Sequence, residues 1–220
     1  MRPQVDPATI EMIAADYARG KAQRDGEATW WRYHGNPFSA VIERAARAEL
    51  ANGKRHPHQR RLSRTTLEAC VQALLPIADQ MEAARSFHVL WDFVDKAYGH
   101  VPGAGELAVY DTADRLRHRL GLESKHVIYL HAGARVGARR LAGGRLANHD
   151  AWGITSDQIP YGLRMFDNHE LEDILCIYKD DLLRSPESLR QASADRRFGA
   201  CSQDEPVGRQ WSRGPNASAC

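Results

Sequence analysis

Residues 98–122, YGHVPGAGELAVYDTADRLRHRLGL, combine the residue types that phosphate binding and carboxylate chemistry require. The segment VPGAG at 101–105 is a hydrophobic residue followed by Pro-Gly-x-Gly. Gly103 and Gly105 allow a tight turn, and bare backbone N–H groups beside a helix N-terminus reach a phosphate that a side chain would keep away. The turn therefore predicts nucleic-acid binding without sequence preference. A plain turn between two helices is the alternative interpretation.

The second feature of the segment is Asp111, which is followed by Thr112 and opens a predicted helix. That helix closes at Gly121 and carries Arg115 and Arg119, which are candidate nucleic-acid-binding residues. Together with the glycine-rich turn, this pattern resembles the helix-hairpin-helix DNA glycosylases of the endonuclease III type. In those enzymes a hydrophobic residue and Asp-Thr lead an arginine-containing helix that ends in Leu-Gly.

The resemblance, which covers about a ninth of the chain, implies an enzyme that flips a damaged or modified base out of DNA and hydrolyses its N-glycosidic bond. Asp111 would stabilise the sugar cation and orient water. The aromatic side chains of Trp30, Trp31 and Tyr33 are the candidates for a base pocket. Two alternatives stay open: Asp111 is a helix N-cap, and the three aromatic residues pack in the core or at an interface.

Two further observations restrict this expectation. Glycosylases that also cut the strand carry a lysine just after the hairpin glycines, whereas this chain has Glu106 and Leu107 there. The four cysteines lack the clustered spacing that holds an iron–sulfur cluster. We therefore expect a monofunctional glycosylase with no metal and no cofactor.

A second basic segment, 129–146, contains glycines that let the backbone approach a ligand closely. Its arginines, which suit a phosphodiester backbone, are Arg135, Arg139, Arg140 and Arg145. A flexible basic loop is the alternative. His131 in the same segment could act as a general acid or as a donor to phosphate, because imidazole titrates near neutral pH.

Acidic residues are concentrated in 167–181, where Asp167, Glu170, Glu172 and Asp173 could supply a second carboxylate. Acidic residues in the first turn of a helix are also favoured by the helix dipole, which is the simpler interpretation. The histidines and cysteines show no metal-ligand spacing. Two other functions stay open: a non-catalytic helix-hairpin-helix module that binds DNA or RNA, and a small nuclease or toxin that uses His131.

The 220 residues have a formal net charge of +2 and 43% hydrophobic residues, which fits one globular domain with its own core. No charged-then-apolar leader and no long apolar run are seen, so we expect a cytoplasmic protein without a membrane segment. DNA, duplex or single-stranded, is the expected partner, and no obligate protein partner is inferred. The substrate class could include the modified DNA of a bacteriophage.

Periodicity and capping residues predict a mostly α fold: a single compact helical domain at 1–183 with a helix-hairpin-helix-like turn, followed by a disordered basic tail at 184–220. The predicted helices span 7–20, 39–53, 65–99 with a break at Pro76, 111–122 and 168–183. The short run 126–133 fits either a strand or the start of a buried helix, and we expect helix or extended loop.

Overall fold

The computed structural model describes residues 5–33, 37–56, 59–124, 127–142 and 152–191. The α-helices are α1 Pro7–Arg19, α2 Lys21–Arg32, α3 Phe38–Arg47, α4 Arg64–Leu74, α5 Ala78–Glu82, α6 Phe87–Tyr98, α7 Glu106–Leu120, α8 Ala132–Leu141 and α9 Asn168–Ile177. Residues 186–191 form a further short helix. The strands are β1 Ile128–Tyr129 and β2 Gly153–Ile154, and short 3-10 turns lie at Leu75–Ile77, Ser156–Gln158, Tyr161–Leu163 and Asp181–Leu183. The mostly α prediction is confirmed.

Several helix ends follow directly from local residue chemistry. Asp6 caps α1 by accepting a hydrogen bond from the Ala8 N–H, and Gly20 ends the helix, as the pattern over 7–20 predicts. Pro76 interrupts the next predicted run, because α4 stops at Leu74 and a 3-10 turn follows. Gly121 ends α7 in the left-handed conformation, with φ of 66°.

The first core surrounds α7, which packs against α2, α3 and α6, while α4 packs against α3 and α6. Its members are apolar side chains that are almost fully buried. The largest of those that are fully buried are Trp31, Ile42, Leu74, Met81, Phe87, Leu90, Tyr98 and Leu116. Burial of such side chains is the main source of folding free energy for these helices.

The second core joins α1, α8 and α9 to a two-stranded antiparallel sheet in which Ile128 pairs with Ile154. Helices α8 and α9 cross very closely at Gly137, where a Cβ atom would lie 1.9 Å from the Leu175 carbonyl oxygen. The expectation of helix or extended loop over 126–133 is wrong at Ile128–Tyr129, which form β1, whereas α8 begins at Ala132. The interpretation of 129–146 as a flexible loop is wrong over residues 132–141, which are helical.

Other predicted boundaries differ from the structure for identifiable reasons. Helix α2 was not predicted, and α3 begins after Pro37 without a Ser39 cap. Helix α3 also ends early, at Arg47, because Ala48 takes the left-handed conformation with φ of 54°. Helix α7 begins at Glu106, so the interpretation of Asp111 as an N-cap is wrong.

The predicted tail and the membrane expectation can be compared only in part. Leu189 is buried within the helix at 186–191, so the described structure extends beyond residue 183. Residues 192–220 lie outside the described residues. Within the described ranges, no helix has the length and apolar character needed to cross a membrane.

A polar cluster around Asp114 links α7 of the first core to α9 of the second. The Asp114 carboxylate lies 2.6 Å from Arg117 Nε and 3.3 Å from His169 Nδ1. The Ser124 N–H donates to His169 Nε2 at 3.3 Å. Burial raises the pKa of Asp114, but Arg117 and His169 outweigh it and hold this pKa well below its usual range.

His118 belongs to the same cluster and makes folding stability depend on pH. Burial lowers the pKa of His118 from 6.5 to about 4, although Asp114 opposes the shift. Between these two pH values His118 is therefore protonated in the unfolded chain and neutral in the folded chain. The contribution of neutral His118 to the unfolding free energy is lost as the pH falls from 6.5 towards about 4. We expect His118→Gln to reduce the slope of the unfolding free energy against pH in that window. The reduction should correspond to about one proton fewer taken up on unfolding. Urea denaturation at a series of pH values measures the slope, and an unchanged slope would contradict the assignment.

Candidate nucleic-acid interface

The turn between α6 and α7, residues 99–105, is held by its own backbone. The Val101 N–H donates to the Tyr98 carbonyl at 2.8 Å, and the Ala104 N–H donates to the Val101 carbonyl at 3.1 Å. Gly103 has φ of 89°, a conformation that favours glycine. Gly105 is exposed, and among the described atoms none lies within 4 Å of where its Cβ would be. The backbone at the start of α7 is therefore accessible.

The N-terminus of α4 lies against this turn. The Thr66 hydroxyl donates to the Pro102 carbonyl at 3.3 Å, and the same hydroxyl would lie 3.3 Å from a Cβ atom at Gly103. Arg64 is the first residue of α4 and is exposed. The N-termini of α4 and α7 thus both lie at the turn, and the positive ends of two helix dipoles favour an anion there.

A cleft of about 250 Å³ is lined in part by the N-terminal residues of α7. We call it the aromatic cleft, and its lining residues are Trp91, Asp95, Glu106, Val109, Tyr110, Tyr129, Leu130, His131, Arg135 and Trp152. Its volume is slightly below the roughly 300–1,000 Å³ of typical small-molecule sites. A single flat heterocycle suits this size better than a larger ligand.

The aromatic rings at the cleft are arranged nearly parallel to one another. The Trp91 and Trp152 rings lie 6.5 Å apart between centroids and are inclined by 22°. His88 extends the group, because its ring is inclined by 11° to Trp91 and by 25° to Trp152. Trp152 is 51% exposed, so a large flat surface faces the solvent. Exposed aromatic surfaces of this kind commonly mark binding sites.

Tyr129 fixes the base of this aromatic group. Its hydroxyl lies 2.7 Å from His88 Nδ1, and its ring centroid lies 5.5 Å from those of Trp91 and Trp152. Burial raises the pKa of Tyr129 to about 12, so the phenol stays protonated at neutral pH. The strand β1 places this side chain, since Tyr129 pairs there with Gly153 of β2, next to Trp152.

The rim of the cleft carries an ion pair. Arg135 Nη2 lies 3.1 Å from Glu106 Oε2 and also donates to the Leu130 carbonyl at 2.9 Å. The Glu106 side chain is 60% exposed and that of Arg135 is 21% exposed. A carboxylate and a guanidinium are thus presented side by side at the edge of an aromatic surface.

His131 lies at the inner end of the cleft and is only 5% exposed. Its Nδ1 accepts a hydrogen bond from the Gly133 N–H and caps α8, and its Nε2 lies 2.5 Å from Glu172 Oε1. Burial lowers the pKa of His131 and the Glu172 carboxylate raises it more strongly, so that the pKa lies above its usual value. Both ring nitrogens are engaged by the protein, which makes His131 an anchor between α8 and α9.

No protein-family model matches the chain, and no curated protein or solved structure is detectably similar to it. The chemistry of the site must therefore be inferred from its own geometry.

The predicted catalytic residue Asp111 lies inside the first core and is 9% exposed. Its Oδ2 accepts from Gln59 Nε2 at 3.0 Å and from Arg115 Nη2 at 3.2 Å. Arg115 also donates to the Ala45 carbonyl at 3.3 Å, so its guanidinium is occupied within the core. Asp111 lies outside the set of described residues that line the aromatic cleft. Its catalytic role stays a prediction.

In the described part of the chain, the predicted base-pocket residues lie outside the lining of the aromatic cleft. Trp31 is 1% exposed and belongs to the first core, and Trp30 packs edge-on against it at 4.4 Å between ring centroids. Tyr33 follows α2 and is 72% exposed. The core alternative is therefore the better description of the two tryptophans.

The predicted phosphate-binding arginines are distributed over different surfaces. Arg135 lies at the cleft, whereas Arg140 forms an ion pair with Asp180. Arg139 and Arg119 are partly buried on α8 and α7, respectively. Arg145 lies outside the described residues. Of this group, Arg135 alone is placed at the cleft by the described structure.

Sequence reasoning missed His88, Trp91, Tyr129 and Trp152, which together form the aromatic surface. They come from α6, β1 and the segment before β2, and no local spacing connects them. The one available signal was composition. Trp152 follows a basic, glycine-rich segment, and a tryptophan in such surroundings has few apolar neighbours in the sequence with which to form a core.

Proposed function

We propose that the protein binds nucleic acid through the turn at 99–105 and holds an unpaired base in the aromatic cleft. The observation that supports this proposal is that the turn at 99–105 and the aromatic cleft adjoin each other. Glu106 is both the first residue after the turn and part of the cleft lining. A strand whose phosphate contacts the turn would therefore have its base beside Trp91 and Trp152.

Stacking supplies the affinity for the base. Each base that stacks on an aromatic side chain contributes about 1–3 kcal/mol, and every base has a face that can stack. The nearly parallel rings of Trp91 and Trp152 suit a flat ligand. A paired base is not available for such contacts, so the proposal favours single strands, bulges or flipped bases over intact duplex.

The phosphate contacts are of a different kind. The backbone N–H groups at the start of α7 and the N-terminus of α4 offer positive charge without reading base identity. Exposed Arg60 and Arg61 precede α4 and extend this surface. Binding should therefore weaken markedly between about 50 mM and about 200 mM salt, because counterions are released.

Gly105→Val tests the phosphate contact without disturbing the fold. Gly105 has an extended backbone, with φ of −104°, and space for a side chain, so valine fits but covers the neighbouring N–H groups. We expect affinity for a single-stranded oligonucleotide to fall about fivefold, which corresponds to about 1 kcal/mol. Fluorescence anisotropy measures it, with Gly26→Ala as the control at a distant, open position. Unchanged affinity would remove the turn from the interface.

N-glycosidic hydrolysis by Asp111 is the second function to test, because an unpaired base in a pocket is also what that reaction requires. If Asp111 is catalytic, the wild type releases free base from DNA that contains damaged or hypermodified bases, and Asp111→Asn abolishes the release. Mass spectrometry detects the base, and alkali treatment reveals the abasic sites. DNA binding without release by the wild type would leave the non-catalytic module as the function.

A further inference from the structure

The rim of the aromatic cleft presents a hydrogen-bond donor next to a carboxylate acceptor. The Arg135 guanidinium is held from two sides, by Glu106 Oε2 and by the Leu130 carbonyl. The neighbouring Glu106 carboxylate has two oxygens, and each oxygen has two lone pairs. The lining of the cleft therefore holds the Arg135 guanidinium, a hydrogen-bond donor, directly beside the two acceptor oxygens of Glu106.

Guanine is the standard base whose edge complements this arrangement. Its Watson–Crick edge presents an acceptor, O6, followed by two adjacent donors, N1–H and the N2 amino group. Cytosine and adenine present an amino donor next to a ring acceptor, and thymine presents one donor between two acceptors. A carboxylate that faces any of these three bases meets an acceptor as well as a donor, which is repulsive.

From this match we infer that the aromatic cleft selects an unpaired guanine, with Glu106 as the residue that determines specificity. The inference rests on the proposed function, since it names the base that the same cleft holds. Stacking on Trp91 and Trp152 does not discriminate strongly among bases. Paired hydrogen bonds from one carboxylate to two donors do discriminate, because they require both donors in the correct geometry.

The test is a set of short, fluorescently labelled thymidine oligonucleotides that differ in one central base. Fluorescence anisotropy at constant salt gives the affinity for central guanine, adenine, cytosine, thymine and hypoxanthine. We expect guanine to bind about tenfold more tightly than adenine, cytosine or thymine, the range of one good bidentate contact. Hypoxanthine lacks the N2 amino group and keeps the rest of the ring, so it should fall between guanine and the other bases.

Glu106→Gln supplies the matched variant, because glutamine keeps the shape but offers one acceptor and one donor. It should lower the affinity for guanine and raise the affinities for adenine and cytosine, because the repulsion between the carboxylate and their ring acceptors is removed, so that the guanine preference is lost. Glu82→Gln, at an exposed position outside the cleft lining, is the control and should keep the preference.

The outcomes separate this inference from the proposed function. Equal binding of all five oligonucleotides, with binding still weakened by Trp152→Ala, would overturn guanine selection and leave nucleic-acid binding intact. A guanine preference that survives Glu106→Gln would overturn the assignment of Glu106. Absence of binding to every oligonucleotide would overturn both.

Discussion

Replacing Trp152 by alanine is expected to weaken binding of single-stranded DNA by about ten- to hundredfold, the range of one lost base–aromatic stack. The Trp152 side chain is 51% exposed and contributes to a surface shared with His88 and Trp91. The backbone contact of this residue, in which its carbonyl accepts from the Leu130 N–H at 2.9 Å, does not depend on the side chain. The sheet should therefore remain while the stacking surface is lost.

Fluorescence anisotropy with a short single-stranded oligonucleotide measures the change in affinity. Tyr161→Ala is the matched control, because Tyr161 is an even more exposed aromatic residue, at 88%, and lies outside the described cleft lining. Circular dichroism should show both variants folded. Equal affinities for the two variants would contradict the placement of the base on Trp152.

Gly137→Ala is expected to destabilise the protein by about 3 kcal/mol or more, at the upper end of the range for overpacked cores. The added Cβ would lie 1.9 Å from the Leu175 carbonyl oxygen and 2.7 Å from the Leu175 carbonyl carbon. These atoms belong to the backbone of α9, so no side chain can rotate away. Helices α8 and α9 would have to separate, which exposes part of the second core.

Gly26→Ala, at another helical glycine, is expected to stabilise the protein instead of destabilising it. In the described structure around Gly26, no atom lies within 4 Å of the added Cβ, so alanine should stabilise α2 by about 0.5–1 kcal/mol. Urea denaturation followed by circular dichroism gives both free energies of unfolding. A Gly137→Ala variant as stable as the wild type would mean that α8 and α9 do not cross as described.

Local signals in the sequence were sufficient to place several helix ends in both cores. Asp6 and Gly20 delimit α1, Pro76 ends the run that begins at α4, and Gly121 ends α7. Each of these residues acts on its immediate neighbours through a cap, a missing N–H or a left-handed conformation. Such effects are visible in a short window of sequence.

Features that depend on tertiary packing could not be predicted in this way. Gly137 looked like a loop residue, but its small size allows α8 to approach the α9 backbone. Asp111 looked like the start of a helix, but Gly105 already provides that start and the intervening residues continue it. The roles of Gly137 and Asp111 therefore depend on the elements around them, which the local sequence does not show.

Of the two parts of the candidate site, the turn could be predicted from the sequence and the aromatic cleft could not. The turn at 101–105 and its glycines were recognised from their spacing, because the turn is a local feature. The aromatic cleft combines Trp91 with Tyr129 and Trp152, which are far apart in the sequence and are brought together by β1 and β2. Pairing of strands that short depends on the surrounding cores and leaves little pattern in the sequence.

The most direct test of the account compares two DNA duplexes that differ only by one unpaired guanine bulge. The wild type should bind the bulged duplex more tightly than the fully paired duplex, and Trp152→Ala should remove that difference while keeping the salt-dependent binding to both. Equal affinity of the wild type for the two duplexes, or a difference that persists in Trp152→Ala, would contradict the claim that the aromatic cleft holds an unpaired base.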